Sequence, residues 1–456
     1  MKKLVLFGIC LLVSICGIQA QNMPDNFFFT TLDNGLEVLI IEDRTVPLAT
    51  IEITVRNGAY CEAPEFDGLS HFYEHMFFKA NKDIPSQEAF LARVSELGIS
   101  FNGTTSGERV NYYVTLSNQK VKEGLEFMNS AIRSPLFLEE EMANEQPVVD
   151  EEFLRAESNP TFFLFQDLNH AMWKDNYSRK NVIGDHDIIK SATAEKMRII
   201  QDKYYNPNNS LITVAGDVDH KTMFNMIQSI YGDWEPADFN PFDKYPIPEI
   251  EALTEDEFFI TEDENAQIPI ILIGLHGPDT RNDIKSTYAA DIFSYILSQR
   301  TSIWQKELVE SGLCFQAGEG YSTNRYVGPI TISLVPNPGK IPEALAKVDE
   351  LIAQFANDDF FTDEQLETAK TTLTIQDAFG REQTSQFLHT VTYWWASADI
   401  PYYIDYVENL QKVTREDIQD YVKKYYIGQP KVTGMLVSPE MKTDLAVQFM
   451  TSQLKK

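Results

Sequence analysis

The chain carries two histidines and a glutamate within five residues, in the segment that begins at His71 and ends at His75. If this segment is helical, His71 and His75 lie one turn apart on one face, and Glu74 lies beside that face. Two neutral imidazoles suit Zn²⁺, and a catalytic zinc ion keeps one coordination position for water. A carboxylate next to that water can take its proton, because zinc lowers the pKa of the water to about 7. The spacing H-x-x-E-H thus predicts a zinc site with Glu74 as general base, although a polar helix face has the same spacing.

A third ligand is available in the acidic stretch of residues 144–152. In a helix, Glu145, Val149 and Glu152 fall on one face at spacings of four and three residues. Glu152 can then complete a site of two histidines and one glutamate, with Glu145 as a supporting carboxylate one or two turns away. Pro147 lies between the two glutamates and has no amide hydrogen, so we expect a helix that restarts there with Asn144 as its N-cap.

These two stretches together resemble the active site of the pitrilysin family, the M16 zinc peptidases. Residues 68–78, with the sequence GLSHFYEHMFF, resemble the zinc-binding helix of that family, and Glu145 and Glu152 match the two glutamates of its second helix. The resemblance implies that His71, His75 and Glu152 bind one Zn²⁺ per chain. It also implies that Glu74 and Glu145 are catalytic and that the substrate is a peptide.

The resemblance covers nearly all of the chain after residue 20 and carries an expectation for the fold. The family has an α+β fold of two homologous domains, each a mostly antiparallel sheet with helices packed on it, the pitrilysin/LuxS-like metallohydrolase architecture. We therefore expect the same architecture here.

One segment departs from the family pattern. In the family, the second half supplies an Arg and a Tyr that reach the zinc site and polarise the scissile carbonyl. In the matching residues 300–315, Val309 replaces the Arg and Phe315 replaces the Tyr. Neither side chain can donate a hydrogen bond to an oxyanion, and the loss of one such donor typically costs ~10²–10³ in rate. The resemblance therefore implies a heterodimer in which an M16 homologue that lacks H-x-x-E-H supplies the Arg and the Tyr.

Two other interpretations of this departure stay open. Tyr321, Arg325 or Tyr326, from a nearby loop of the same chain, can stand in for the missing pair. The chain can also be a non-catalytic M16-like binding or assembly subunit. Zinc binding that depends on His71 would separate a peptidase from such a subunit.

Asn102 and Gly103 correspond to a family segment on the edge strand that receives the substrate backbone. The resemblance implies that they bind peptide by strand addition, in which main-chain hydrogen bonds give affinity. An Asn-Gly pair is also common in ordinary turns, and a turn at this position stays open.

The first 20 residues have the features of a secretory signal peptide. Lys2 and Lys3 precede an apolar run, and small residues end at Ala20. The run is too short to span a membrane, which needs about 20 residues. We expect a periplasmic or secreted protein with no stable membrane span, and acylation at Cys16 is the alternative. After removal of this segment only Cys61 and Cys314 remain, too few for a disulfide framework.

The net charge of the whole chain is −30. Nucleic acids and anionic lipids are polyanions, so this charge argues against both as partners.

The two halves of the chain carry the same unit near their ends. Residues 193–205 and 414–426 each begin with a threonine N-cap, continue as an amphipathic helix and end in Tyr-Tyr, and an apolar strand follows each. We interpret this repeat as an internal duplication. Together with the N-terminal signal features and the Pro-rich segment after Trp234, the repeat divides the chain into four parts: a signal peptide in residues 1–20, a peptidase domain with the zinc site in residues 21–235, a Pro-rich linker in residues 236–255 and a homologous domain in residues 256–456.

Apolar periodicity predicts the elements that position these residues. The predicted strands are residues 37–42, 48–56, 110–116, 210–215, 268–275, 329–335 and 431–437. The predicted helices outside the motif segments are residues 86–97, 120–132, 283–297, 341–356 and 363–376.

Overall fold

The computed structural model describes residues 23–443. The predicted signal peptide, residues 1–20, and the alternative acylation site Cys16 lie outside this range. The strands are β1 (Phe27–Thr31), β2 (Glu37–Glu42), β3 (Leu48–Val55), β4 (Ser100–Thr105), β5 (Val110–Ser117), β6 (Ser210–Gly216), β7 (Glu257–Glu262), β8 (Ile270–His276), β9 (Cys314–Tyr321), β10 (Pro329–Pro336) and β11 (Val432–Val437).

The helices of the first half are α1 (Leu69–Phe77), α2 (Gln87–Leu97), α3 (Val121–Arg133), α4 (Glu139–Glu157), α5 (Pro160–Trp173), α6 (His186–Lys190), α7 (Ala194–Tyr204), α8 (His220–Tyr231) and α9 (Pro241–Lys244). Those of the second half are α10 (Ile284–Ser298), α11 (Ile303–Gln305), α12 (Ile341–Gln354), α13 (Asp363–Gly380), α14 (Thr384–Ser397), α15 (Ile400–Ile404), α16 (Tyr406–Lys412) and α17 (Arg415–Tyr425).

Five strands of each half form sheets of the same topology, and β1 adds a sixth strand to the edge of the first sheet, which confirms the predicted α+β fold of two homologous domains. The first sheet has the order β1-β2-β6-β3-β5-β4 and the second the order β7-β11-β8-β10-β9. In each sheet the closing strand, β6 or β11, pairs in parallel with one neighbour, β2 or β7, and the other pairings are antiparallel. The repeated helices α7 and α17 lead into those two closing strands, and the hydroxyls of Thr193 and Thr414 cap them as the sequence predicts.

Each sheet is covered on both faces, which explains why β6 and β11 are buried along their whole length. One face of the first sheet carries helices of its own half, among them α1, α3 and α8. Its other face carries α14, which comes from the second half. In the reverse direction, α5 of the first half packs on β7, β8 and β11 of the second sheet. The halves thus exchange one helix each, a contact that the sequence did not indicate.

Buried polar side chains reinforce this exchange at the first sheet. The carboxylate of Glu52, which is fully buried on β3, accepts hydrogen bonds from Asn111 at 3.0 Å and from Thr392 of α14 at 2.5 Å. Arg56 lies 3.7 Å from the ring centroid of Trp395, another residue of α14. The two halves are therefore joined by buried hydrogen bonds and a cation–π contact as well as by apolar packing.

The expected restart of the acidic helix at Asn144 is wrong. Residues Glu139–Glu157 form one continuous helix with Pro147 inside it and Leu138 at its N-cap. Proline removes one helix hydrogen bond, which here would go to the carbonyl of Ala143. Ala143 is exposed, so water can satisfy that carbonyl. The helix consequently presents Glu145 and Glu152 on one continuous face.

The segment predicted as a linker, residues 236–255, contains the short helix α9 and lies between helix α8 and strand β7. The exact domain limits stay a prediction. Cys61 and Cys314 are free thiols. Within residues 23–443, none of the helices combines the length and apolar composition that a membrane crossing requires.

Candidate active site

Helix α1 holds His71, Glu74 and His75 at the boundary between the core and the surface. Its apolar residues pack inward, and Phe72 and Met76 are buried. The two imidazoles are half-buried, with ring centroids 4.9 Å apart. Apolar and polar residues are interspersed along α1 because the helix buries one face on the sheet and leaves the other face accessible.

A buried carboxylate fixes the start of α1. Glu62 accepts the backbone N–H groups of Gly68 at 3.0 Å and Ser70 at 2.6 Å, and Lys180 lies 2.9 Å from the same carboxylate. Gly68 has φ 85°, a conformation that favours glycine. Negative charge at the N-terminus of a helix stabilises it.

Helix α4 brings Glu152 to the two histidines. Its Oε2 lies 3.7 Å from Nε2 of His71 and 3.6 Å from Nε2 of His75. Donor atoms of all three residues lie within 4.8 Å of one another. In a tetrahedral zinc site with bonds of roughly 2.0–2.1 Å, ligand atoms are about 3.4 Å apart. The distances from Glu152 to the two imidazoles are therefore close to the spacing of ligands around a zinc ion.

The pKa values of the two histidines are shifted in opposite directions. Burial, together with the neighbouring His75, lowers the pKa of His71 to about 4, so this imidazole is neutral at physiological pH. Burial opposes protonation of His75 too, but its hydrogen bond to Glu145 and the nearby carboxylates outweigh burial and raise its pKa. Because a metal ion binds the neutral imidazole, a cation held by His71, His75 and Glu152 would compete with protonation of His75.

Glu145 supports His75 from behind, and a buried lysine supports Glu145. Nδ1 of His75 lies 2.8 Å from Oε1 of Glu145, and Lys79 forms an ion pair with Oε2. Burial acts to raise the pKa of Glu145, but these two partners outweigh it and keep the pKa low. An Nδ1–H that donates to Glu145 leaves Nε2 of His75 free to face Glu152.

Lys79 was not identified from the sequence, because it lies just beyond the end of α1 and meets Glu145 only where α4 packs beside α1. Its side chain is only 5% exposed, and a buried ammonium group needs a partner. Both its burial and its pairing with Glu145 are visible only in the structure.

Strand β4 contacts the side chain of Glu74 through Thr105 and Gly103. The hydroxyl of Thr105 donates to Oε2 of Glu74 at 2.6 Å. Gly103 lies so close that a Cβ atom there would be 2.9 Å from Cγ and 3.0 Å from Oε1 of Glu74. Burial raises the pKa of Glu74, and the hydrogen bond from Thr105 opposes the shift. The sequence did not indicate Thr105, because its role depends on how β4 lies against α1.

Asn102 and Gly103 lie on β4 itself, so the turn interpretation is wrong for this segment. Asn102 pairs with Tyr113 and Gly103 with Tyr112 of β5, which places both in regular strand. β4 is the edge of its sheet, so its outer hydrogen-bonding groups are available to another strand.

Val309 and Phe315, which replace the Arg and the Tyr of the family pattern, differ in their exposure. Val309 packs against the second core, whereas Phe315 on the edge strand β9 is 62% exposed. Tyr321, a candidate donor from the same chain, donates a hydrogen bond from its hydroxyl to the carbonyl of Pro278 at 2.9 Å. Arg325 and Tyr326 lie on a loop whose backbone N–H groups bind Glu108.

A second group of donor atoms, from Glu42, Asp219 and His220, also lies within 4.8 Å. Nδ1 of His220 is 2.8 Å from Glu42, and Asp219 caps helix α8. These groups therefore have structural partners already, and the His71 cluster is the better candidate for a metal.

Comparison with known proteins places both halves in one family. The model of insulinase, peptidase family M16, matches residues 37–186, and the model of the peptidase M16 inactive domain matches residues 191–373. A protein of Rickettsia felis named an uncharacterized zinc protease is 26% identical over 312 residues, which cover 68% of this chain and 73% of that protein.

Solved structures show the same fold. A protease from Helicobacter pylori superposes with a TM-score of 0.80 at 21% identity and covers 90% of this chain and 99% of its own. The periplasmic protease PqqL from Escherichia coli has a TM-score of 0.74 at 18% identity, with 92% of this chain and 48% of that one covered. The present chain thus corresponds to about half of PqqL.

Proposed function

Because the chain belongs to the M16 peptidase family, we propose that it is an exported zinc-dependent endopeptidase of oligopeptides or small unfolded polypeptides. The observation that carries this proposal is the cluster of His71, His75 and Glu152, whose donor atoms lie within 4.8 Å of one another. Glu74, on the same helix as the histidines, supplies the base that peptide hydrolysis requires.

In this proposal, His71, His75 and Glu152 hold one Zn²⁺. The bound ion would polarise the scissile carbonyl and lower the pKa of a water molecule. Glu74 takes a proton from the water and passes it to the leaving amine. The orienting contacts of Glu145 and Lys79 keep His75 in the tautomer that binds metal. Asn102 and Gly103 bind the substrate backbone at the open edge of β4.

The partner in this proposal is an M16 homologue that carries the Arg and the Tyr but lacks H-x-x-E-H. Val309 and Phe315 cannot donate to an oxyanion, and Tyr321 has its hydroxyl engaged elsewhere.

Export rests on the composition of residues 1–20, with Lys2 and Lys3 ahead of an apolar run. The name of the related structure, a periplasmic protease, is in keeping with it. We therefore propose a periplasmic or secreted location.

Zinc binding is the first test. We expect one zinc ion per chain, measured by atomic absorption after dialysis, and a loss of binding in His71→Ala and Glu152→Gln. Glu151→Gln is the matched control, since Glu151 is exposed and next to Glu152 on the same helix. Equal zinc content in all three variants would contradict the proposed ligand set.

Hydrolysis of a quenched fluorescent peptide library is the second test. It compares the zinc-loaded protein alone with a mixture of this protein and an M16 homologue that carries the Arg and the Tyr but lacks H-x-x-E-H. We expect hydrolysis in the mixture and its loss in Glu74→Gln. Full activity of the chain alone would refute the need for a partner.

The second candidate function is a non-catalytic binding or assembly subunit, which the replacements at Val309 and Phe315 favour. A binding or assembly subunit would hydrolyse no peptide, either alone or in the mixture, but would still bind peptides. Inactivity of the mixture despite stoichiometric zinc would select it.

A further inference from the structure

The edge strand β4 contacts Glu74 at both oxygens of its carboxylate. Thr105 donates its hydroxyl to Oε2 at 2.6 Å, and Gly103 lies against Cγ and Oε1. Residues 103 and 105 are two apart on a strand, so both face α1. Glu74 is only 8% exposed, so its orientation depends on the groups that touch it.

The two oxygens of Glu74 are consequently not equivalent. Oε2 accepts the hydrogen bond of the Thr105 hydroxyl, whereas Oε1 lies against Gly103, where even a Cβ atom would be only 3.0 Å away. We propose that Thr105 is a positioning residue that anchors Oε2 and thereby makes Oε1 the oxygen that carries the proton. This inference rests on the proposed peptidase function and deepens it.

The proton balance follows from this assignment. In the first step an O–H bond of water breaks and an Oε1–H bond forms on Glu74. In the second step that Oε1–H bond breaks and an N–H bond forms on the leaving amine. The proton of Thr105 stays on its own oxygen throughout, so Thr105 orients the carboxylate and takes no part in the transfer.

Anchoring matters because a carboxylate at the end of a flexible side chain can otherwise turn away from the water. A base held in one orientation contributes more to rate than one that must be reoriented in each cycle. The anchor also lies on the strand that would receive the substrate, so substrate binding and base orientation depend on the same stretch of backbone, Ser100–Thr105.

The test compares Thr105→Val, which removes the hydroxyl at nearly constant volume, with Thr105→Ser, which keeps it. A hydrogen bond to a charged group corresponds to about a 10- to 100-fold change. We expect Thr105→Val to lower kcat by that factor with little change in KM, and Thr105→Ser to restore most of it. Zinc affinity, measured by competition with a chelator, should be unchanged in both.

Thr54→Val is the matched control. The Thr54 hydroxyl also donates to a buried carboxylate of the same sheet, that of Glu52, at 3.0 Å. Glu52 keeps donors from Asn111 and Thr392, and it lies outside the candidate site. We expect Thr54→Val to keep kcat, which separates the anchoring effect from a general loss of sheet stability.

A second readout does not need activity. In crystal structures of the zinc-loaded proteins, we expect one carboxylate orientation for Glu74 in the wild type and more than one in Thr105→Val. A kcat within about twofold of wild type, or an unchanged single orientation in Thr105→Val, would overturn the inference. If the wild type hydrolyses no peptide, the proposed function fails, and the crystal comparison still decides the role of Thr105.

Discussion

Replacement of Glu145 by glutamine should weaken zinc binding and destabilise the metal-free protein, through two separate contacts. Glu145 accepts from Nδ1 of His75 at 2.8 Å and pairs with Lys79. Glutamine keeps the shape of the side chain but removes its charge. The loss of such a supporting group typically lowers metal affinity by about 10- to 100-fold, or roughly 1.4–2.7 kcal/mol.

The effect on stability comes from Lys79, whose side chain is 5% exposed. Without Glu145 its ammonium group is buried without a counter-charge, and the loss of one partner of a buried pair typically costs about 3–5 kcal/mol. The double variant Glu145→Gln/Lys79→Met removes that stranded charge. It should recover much of the stability while zinc affinity stays low.

Chelator competition measures the affinity, and urea denaturation of the metal-free protein measures the stability. Glu141→Gln is the matched control, because Glu141 lies one turn earlier on α4 and accepts backbone N–H groups, those of Ala80 and Gln87. The reasoning is refuted if Glu145→Gln binds zinc as tightly as Glu141→Gln, or if the double variant regains wild-type zinc affinity.

Two further predictions concern stability. Burial raises the pKa of Asp291 to about 7, although Tyr406 donates to it at 2.6 Å. Since an unfolded Asp has a pKa of about 3.9, this group's contribution is fully present below about pH 4 and is lost as pH rises through about 7, at up to about 1.4 kcal/mol per unit. Asp291→Asn should therefore reduce the fall in urea midpoint between about pH 5 and about pH 8, and an unchanged slope would contradict the assignment. Trp395→Ala should cost about 3–5 kcal/mol, because Trp395 is 1% exposed and stacks with Arg56 across the exchanged helix. Limited proteolysis should then cut near α14 before the rest of the chain unfolds, and a cleavage pattern identical to wild type would refute the claim that α14 locks the halves together.

The sequence by itself determined the local elements and the spacing of the candidate ligands. H-x-x-E-H places His71 and His75 on one helix face through the 3.6-residue period alone. The seven-residue offset from Glu145 to Glu152 likewise puts both on one face of α4. The duplicated unit predicted two similar domains because each copy carries the same threonine cap, helix and strand.

The tertiary structure decided everything that depends on which elements meet. Thr105 and Lys79 became partners of Glu74 and Glu145 only because β4 and α4 pack beside α1, and no local period records such a contact. The exchange of α5 and α14 between the halves has the same cause: an apolar helix face specifies that it must be covered, but not by which sheet. The continuous helix through Pro147 depended on solvent, since only the fold shows that the lost hydrogen bond lies on an exposed face.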